Sequence, residues 1–260
     1  LILTKRGDNM FARYSIVFLM LTIFLIPDFL KSDVIMKEKI QRSGFQMMGQ
    51  TQPGEEMIRT TWISKDKMRS DDKDQSVIML LDKKIMYMVN HQQKTYMEMP
   101  MDMGKIMQQK MEEEGVDQDE MQKYMNMAKG MMKMKITVTP TQEKKKIGEW
   151  NCSKYILNIE SAMGPITNEI WATEDLKIDY DLYAKFSSAF LGQQPGAQQM
   201  MDDIVQEMKK IKGVHVLSNS TVNMMGTTVK TSQELIEFKE GSIPAGTFDL
   251  PKGYKLQKME

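Results

Sequence analysis

The sequence is poor in the residues that staple, tether or catalyse. Among 260 residues there is one cysteine, Cys152, and there are two histidines, His91 and His215. A single cysteine excludes an intramolecular disulfide, so the fold must stand on its core. Cys152 also lies far from the N-terminal apolar segment, which excludes the lipidated cysteine of a bacterial lipoprotein. Flanked by Trp150 and Tyr155, it reads as a small buried apolar residue. Neither histidine belongs to a HExxH, Cys–His or Gly-x-Ser-x-Gly arrangement, and the chain has no glycine-rich phosphate loop and no paired-cysteine zinc site. The carboxylates Asp71, Asp72, Asp202 and Asp203 fall in polar turns or on charged helix faces, where a solvated role is expected. With no nucleophile, base or metal constellation in view, binding is expected instead of catalysis, and no cofactor is expected. A surplus of charge is missing as well. Lys+Arg and Asp+Glu stand at 35 each, so nothing marks the chain for nucleic acid or for an anionic lipid surface.

Long apolar runs are absent but for one near the N-terminus. Arg13 precedes the run from Tyr14 to Ile26, which ends at Pro27. A basic residue, about a dozen apolar residues and a breaker form the secretory pattern, and the run falls short of the ~20 residues of a spanning helix. Residues 1–33 are therefore expected to be an upstream extension followed by a signal peptide, with Met10 as initiator and cleavage near Ser32. The expected location is periplasmic or secreted, by bacterial export. Membrane contact would arise only through this segment, were it left uncleaved.

The remainder, residues 34–260, reads as a single β-rich domain with two helical insertions. Candidate strands cover residues 34–48, 57–64, 76–81, 85–89 and 94–99, joined by polar turns at 52–54, 71–74, 82–84 and 90–93, short enough for antiparallel neighbours. After Pro100 the apolar period changes from two to 3.6. A first helical insertion near 102–132 places Met103, Met107 and Met111 on one face, then Met121, Tyr124, Met125 and Met132 on another beyond Gly115. Strand patterning returns at 134–139, 153–160 and 166–173, and Glu143 to Lys146 reads as the polar turn between two of these strands. A second helical stretch near 180–211, split at 192–196, precedes strands at 214–224 and 227–239 and a tail carrying Phe248 and Tyr254.

What the chain has in excess is methionine, 29 residues. Met97, Met99, Met101 and Met103 alternate along one short run, and soft thioether sulfur suits Cu(I) or Ag(I). The same flexible, polarisable side chains also fill irregular cores and line promiscuous apolar surfaces, and their spread from Met36 to Met259 favours that role. Met103, Met107, Met111, Met121, Tyr124, Met125 and Met132 are the candidate lining of a hydrophobic ligand site. Met97, Met99, Met101 and Met103 are the candidate metal ligands of a rival reading.

Several short motifs resemble the bacterial family called domain of unknown function 4412. They are Lys67-Met-Arg69, Leu81-Asp-Lys-Lys-Ile85, Lys94-Thr-Tyr96, Lys146-Ile-Gly148 with Cys152-Ser-Lys-Tyr155, Glu169-Ile-Trp-Ala-Thr173 and Phe248-Asp-Leu-Pro-Lys-Gly-Tyr254. More distantly, the chain is similar to the lipoprotein-carrier proteins of the bacterial envelope. The resemblance implies an α+β fold, a curved antiparallel sheet forming an incomplete β-barrel, with amphipathic helices covering its concave face. It implies an exported carrier for lipid, lipoprotein or another hydrophobic ligand. The alternatives are a methionine-rich Cu(I)/Ag(I)-binding envelope protein and a structural envelope protein with protein contacts alone.

Overall fold

The computed structural model describes residues 33–47, 50–101, 134–161, 164–176, 197–224 and 227–257. The segment expected to direct export, the whole of the first helical insertion and residues 180–196 of the second lie outside these. Among the described residues, no helix is long and apolar enough to cross a membrane.

Strict alternation builds the central strand. In β1 (Val34–Arg42), Val34, Met36, Glu38 and Ile40 are buried, while the residues between them are half-buried. That period of two is what a strand covered on one face requires. On one side of β1 a meander runs through β4 (Glu55–Ser64), β5 (Lys67–Asp71), β6 (Gln75–Leu80), β7 (Ile85–Asn90) and β8 (Thr95–Pro100). On the other side a second meander returns through β9 (Met134–Ile147), β10 (Trp150–Ser161), β11 (Ile166–Thr173), β12 (Val214–Met224) and β13 (Thr227–Glu240), so that β13 pairs with β1. The two-residue β14 (Lys255–Leu256) adds a parallel pairing, to β8. The order is β14-β8-β7-β6-β5-β4-β1-β13-β12-β11-β10-β9, a 12-stranded sheet whose end strands do not pair with each other. The expected antiparallel sheet is present, and among the described residues it is open.

The turns follow from side-chain chemistry. Asp72 Oδ1 accepts from the backbone N–H groups of Asp74 and Gln75, and Asn90 Oδ1 accepts from that of Gln93, two local closures that Asp and Asn favour. The expected strand over 34–48 is broken. The chain leaves β1 at Ser43-Gly44 and forms the small hairpin β2 (Phe45–Met47) with β3 (Gln50–Gln52). At Gly44 a Cβ would stand 3.1 Å from the Gln52 carbonyl and the Gly54 nitrogen, so close backbone approach sets the break. β5 was not among the candidate strands. Three of its five residues are charged, and its buried residues are only Met68 and Ser70.

The run Glu143 to Lys146 is not a turn. It lies inside β9, with Lys144 opposite Ser153, Lys145 opposite Cys152 and Lys146 opposite Asn151. The reversal comes later, at Gly148, whose φ of 57° suits glycine. Lysines are tolerated there because β9 is an edge strand, where charge blocks further strand addition. Lys145 Nζ also sits 3.9 Å from the centre of the Trp171 ring, a cation–π contact.

The one helix among the described residues, α1 (Ala197–Met208), belongs to the second expected insertion. Ile204 and Met208, with Ile211 just beyond, pack against Val138, Tyr155, Leu157, Ile159, Ile170 and Ala172 of β9 to β11. Two polar contacts fix the helix: Glu207 accepts from the edge amide of Val138 at 2.8 Å, and Tyr155 Oη accepts from the amide of Lys212 at 3.2 Å. On β6 to β8, the face opposite Val77 and Met79 carries Ile78, Leu80 and Val89, against which Phe248, Leu250 and Tyr254 of the tail pack.

Candidate functional site, a sheet face with methionine rows and a polar seam

Register decides which side chains meet. One row crosses six strands without a bulge: Val34, Ile63, Met68, Met79, Met86 and Met99. Two residues along the strands, on the same face, a second row holds Phe238, Met36, Thr61, Ser70, Val77, Met88 and Met97. Directly opposed residues on adjacent strands have Cβ atoms roughly 5 Å apart, so the thioethers of Met68, Met79, Met86 and Met99 form a ladder across the sheet. Met68, Met79 and Met86 are buried in a cluster with Met36, Ile63 and Val77, whereas Met88 and Met99 are half-buried at its margin.

Of the four methionines of the metal reading, the structure describes Met97, Met99 and Met101. Met97 and Met99 do share a face of β8, but along a strand two residues span roughly 6.6 Å, more than the cross-strand distance. Met99 is therefore grouped with Met86, and Met97 with Met88, across the β7–β8 pair. Met101 lies beyond the end of β8 and is buried in the core. Met103 lies outside the described residues, as do Met107, Met111, Met121, Tyr124, Met125 and Met132. Among the described residues, no three His, Cys, Asp or Glu side chains are grouped to hold a metal ion. Cys152 is buried as expected, and burial pushes its thiol up to about 11.

The same face carries polar groups that strand patterning does not advertise. Glu38 is 8% exposed, and burial raises its pKa against the lowering effects of Arg59, its register partner on β4, and of Gln233. Gln233 Nε2 donates to Glu38 Oε1 at 2.6 Å. Burial lowers the pKa of Arg59, opposed by the charges of Glu38 and Asp72. Next along the strands, Gln233 lies opposite Ser218, whose hydroxyl donates to Asn168 Oδ1 at 2.7 Å. A further row runs Glu55, Arg42, Thr231, Ser220, Asn168, Leu157 and Val138 across seven strands. In it Arg42 Nη2 donates to Glu55 at 2.8 Å, while Arg42 Nε and the Ser220 hydroxyl are buried without a hydrogen-bond partner.

A polar seam thus crosses the middle of an apolar face, between the methionine rows and the cluster under α1. Burying polar side chains such as Glu38, Asn168, Ser218 and Gln233 costs hydration, which a purely structural sheet could avoid with apolar residues at the same positions. The seam went unread in the sequence, yet a signal was there. Glu38 stands at the parity of Val34, Met36 and Ile40, and Asn168 at that of Ile166 and Ile170.

The two histidines have different surroundings. His91 Nε2 and the Ser76 hydroxyl are 2.7 Å apart, and His91 Nδ1 is 3.0 Å from Tyr254 Oη. The Arg69 guanidinium donates to Ser76 and to the carbonyls of Thr247 and Asp249, so this network holds the tail on the sheet. Ser76 is 1% exposed and covered by that network, which does not suit a nucleophile. His215 has both ring nitrogens buried and unpartnered.

With the geometry in hand, the family is plain. The profile described as Domain of unknown function (DUF4412) matches residues 43–254, and the chain belongs to that family. No curated protein matches the chain. Among solved structures, a crystal form of PNGF-II is similar at 13% identity and a TM-score of 0.34, over 86% of this chain and 31% of that one. The present chain thus spans about a third of that protein. A crystal structure described as an outer membrane lipoprotein-sorting protein domain from Vibrio parahaemolyticus is similar at 5% identity and a TM-score of 0.31, over 84% of this chain and 89% of that one.

Proposed function

We propose that this protein is an exported, non-enzymatic carrier that holds lipid, lipoprotein or another hydrophobic ligand against the methionine rows, under helical cover. The observation that carries this reading is the ladder Met68, Met79, Met86 and Met99 with the half-buried Met88 and Met97 beside it. Methionine has three rotatable bonds and a polarisable sulfur, so such a surface adapts to chains of varied length and unsaturation. Native mass spectrometry of protein purified from its own envelope tests the reading. Lipid should leave the protein when the sample is denatured. Protein that carries no lipid and does not bind the neutral dye N-phenyl-1-naphthylamine overturns it.

A second reading has its own support in the in-register pairs Met86 with Met99 and Met88 with Met97, four thioethers on one face of two strands. Soft sulfur donors so grouped suit Cu(I). Cu(I) titration of wild type and of a variant with all four changed to leucine separates the readings, since leucine keeps the apolar surface and removes the sulfur. Equal uptake by both proteins eliminates the copper site.

A further inference from the structure

We infer that the polar seam is the head-group subsite of the proposed carrier, and that it takes a neutral amphiphile whose polar end offers an ester or hydroxyl oxygen. The inference rests on the carrier reading and adds which end of the ligand goes where.

Unused hydrogen-bonding capacity lies in one row. Ser220 is 4% exposed, and its hydroxyl is without a partner. Two strands away in the same row, Arg42 directs one nitrogen to Glu55 and leaves Nε buried and unpartnered. Neighbouring strands lie roughly 4.8 Å apart, so about 10 Å separates the two backbones, a gap that the long arginine side chain narrows. Native proteins rarely leave buried donors unsatisfied, and a bound acceptor is one explanation of such a pair. Both groups donate, so the missing partner is an acceptor oxygen, and the Ser220 hydroxyl can also accept from an alcohol.

The neighbouring charges set the ligand's charge. Glu38 with Arg59, and Arg42 with Glu55, already face one another in register across the β1–β4 pair. An anionic head would meet the two carboxylates and a cationic head the two guanidinium groups, whereas a neutral head meets neither penalty. The seam also joins the methionine rows on the same face of β1, through Glu38 and then Met36. The row that holds Met36 ends in the half-buried Met88 and Met97, where a hydrocarbon chain would find the less covered part of the same face. Arg42 closes β1 with a side chain about one-third exposed, which places the polar end of the ligand at the more open end of the strand.

The test uses the full chain loaded with N-phenyl-1-naphthylamine and displaced by 1-monooleoylglycerol or by 1-octadecene, a hydrocarbon lacking the head group. Wild type should prefer monooleoylglycerol by about tenfold, the worth of two modest hydrogen bonds. Ser220→Ala and Arg42→Lys should each remove several-fold of that preference and leave octadecene binding unchanged. Ser220→Ala deletes an unsatisfied buried hydroxyl and should fold at least as well as wild type. Arg42→Lys keeps the charge facing Glu55 while removing Nε. A preference unchanged in both variants overturns the head-group subsite and leaves the carrier reading standing. Failure of both ligands and of the dye to bind overturns the carrier reading itself, and the subsite with it.

Discussion

His215 gives the sharpest physical test of the fold. Both of its ring nitrogens are sealed from solvent without partners, so what exposure the residue keeps lies elsewhere and does not help to solvate a proton. Burial alone drives its pKa down from 6.5 to about 3. The unfolded chain takes up a proton below about 6.5 while the folded protein resists it, so this contribution to stability is fully present above that value. It is lost as pH falls from there toward 3. Each unit in that window costs about 1.4 kcal/mol, so acidification from pH 7.5 to 4.5 should remove about 2.5 kcal/mol through this residue. Other groups also respond to acid. Glu237 is held down to about 2 by hydrogen bonds from Lys239 and Lys37, and the pKa of Glu207 is lowered by Lys210. A variant isolates the histidine. Urea unfolding of wild type and His215→Leu, followed by tryptophan fluorescence at pH 7.5 and 4.5, should show the variant losing about 2.5 kcal/mol less between the two conditions. Equal losses in both proteins would refute the claim that the imidazole is buried neutral.

Three further expectations concern packing and access. Leu157→Ala removes a side chain that is 0% exposed beneath α1 and should cost roughly 3 kcal/mol, read as a lower urea midpoint with unchanged m; a cost below about 1 kcal/mol would mean that the helix does not seal this cluster. Gly213→Ala forces a side chain into a φ of 99° and against the Thr173 carbonyl, so this variant should be destabilised by more than about 2 kcal/mol, and a melting temperature equal to wild type would count against the chain path between α1 and β12. The Cys152 thiol, buried and pushed up to about 11, should react with 5,5′-dithiobis(2-nitrobenzoic acid) at neutral pH only after unfolding, and rapid labelling of the native protein would show that the site is open.

Legibility followed the range of the forces involved. β11 and β12 were read from the sequence with the bounds they have in the structure, because alternation in Ile166–Thr173 and Val214–Met224 is a local signal and needs no knowledge of neighbours. The turns at Asp72 and Asn90 were equally plain, since these side chains close on their own backbone. The run Glu143 to Lys146 was misread because lysines look alike in a turn and on an edge strand, and only the sheet order shows that β9 ends the sheet among the described residues. Along the chain Met97 and Met99 stand two residues apart, and sheet register adds their partners Met88 and Met86 from β7.

By itself the sequence determined a β-rich chain of balanced charge, held by its core without disulfides, because composition and a period of two act residue by residue. Tertiary structure alone decided which strands became neighbours. It set Glu38 beside Arg59 and Gln233, and put Ser220 in one row with Arg42. The physical reason is that a strand specifies which face a side chain takes, while the partner it meets depends on pairing between segments far apart in the chain, as with Glu38 and Gln233, 195 residues apart.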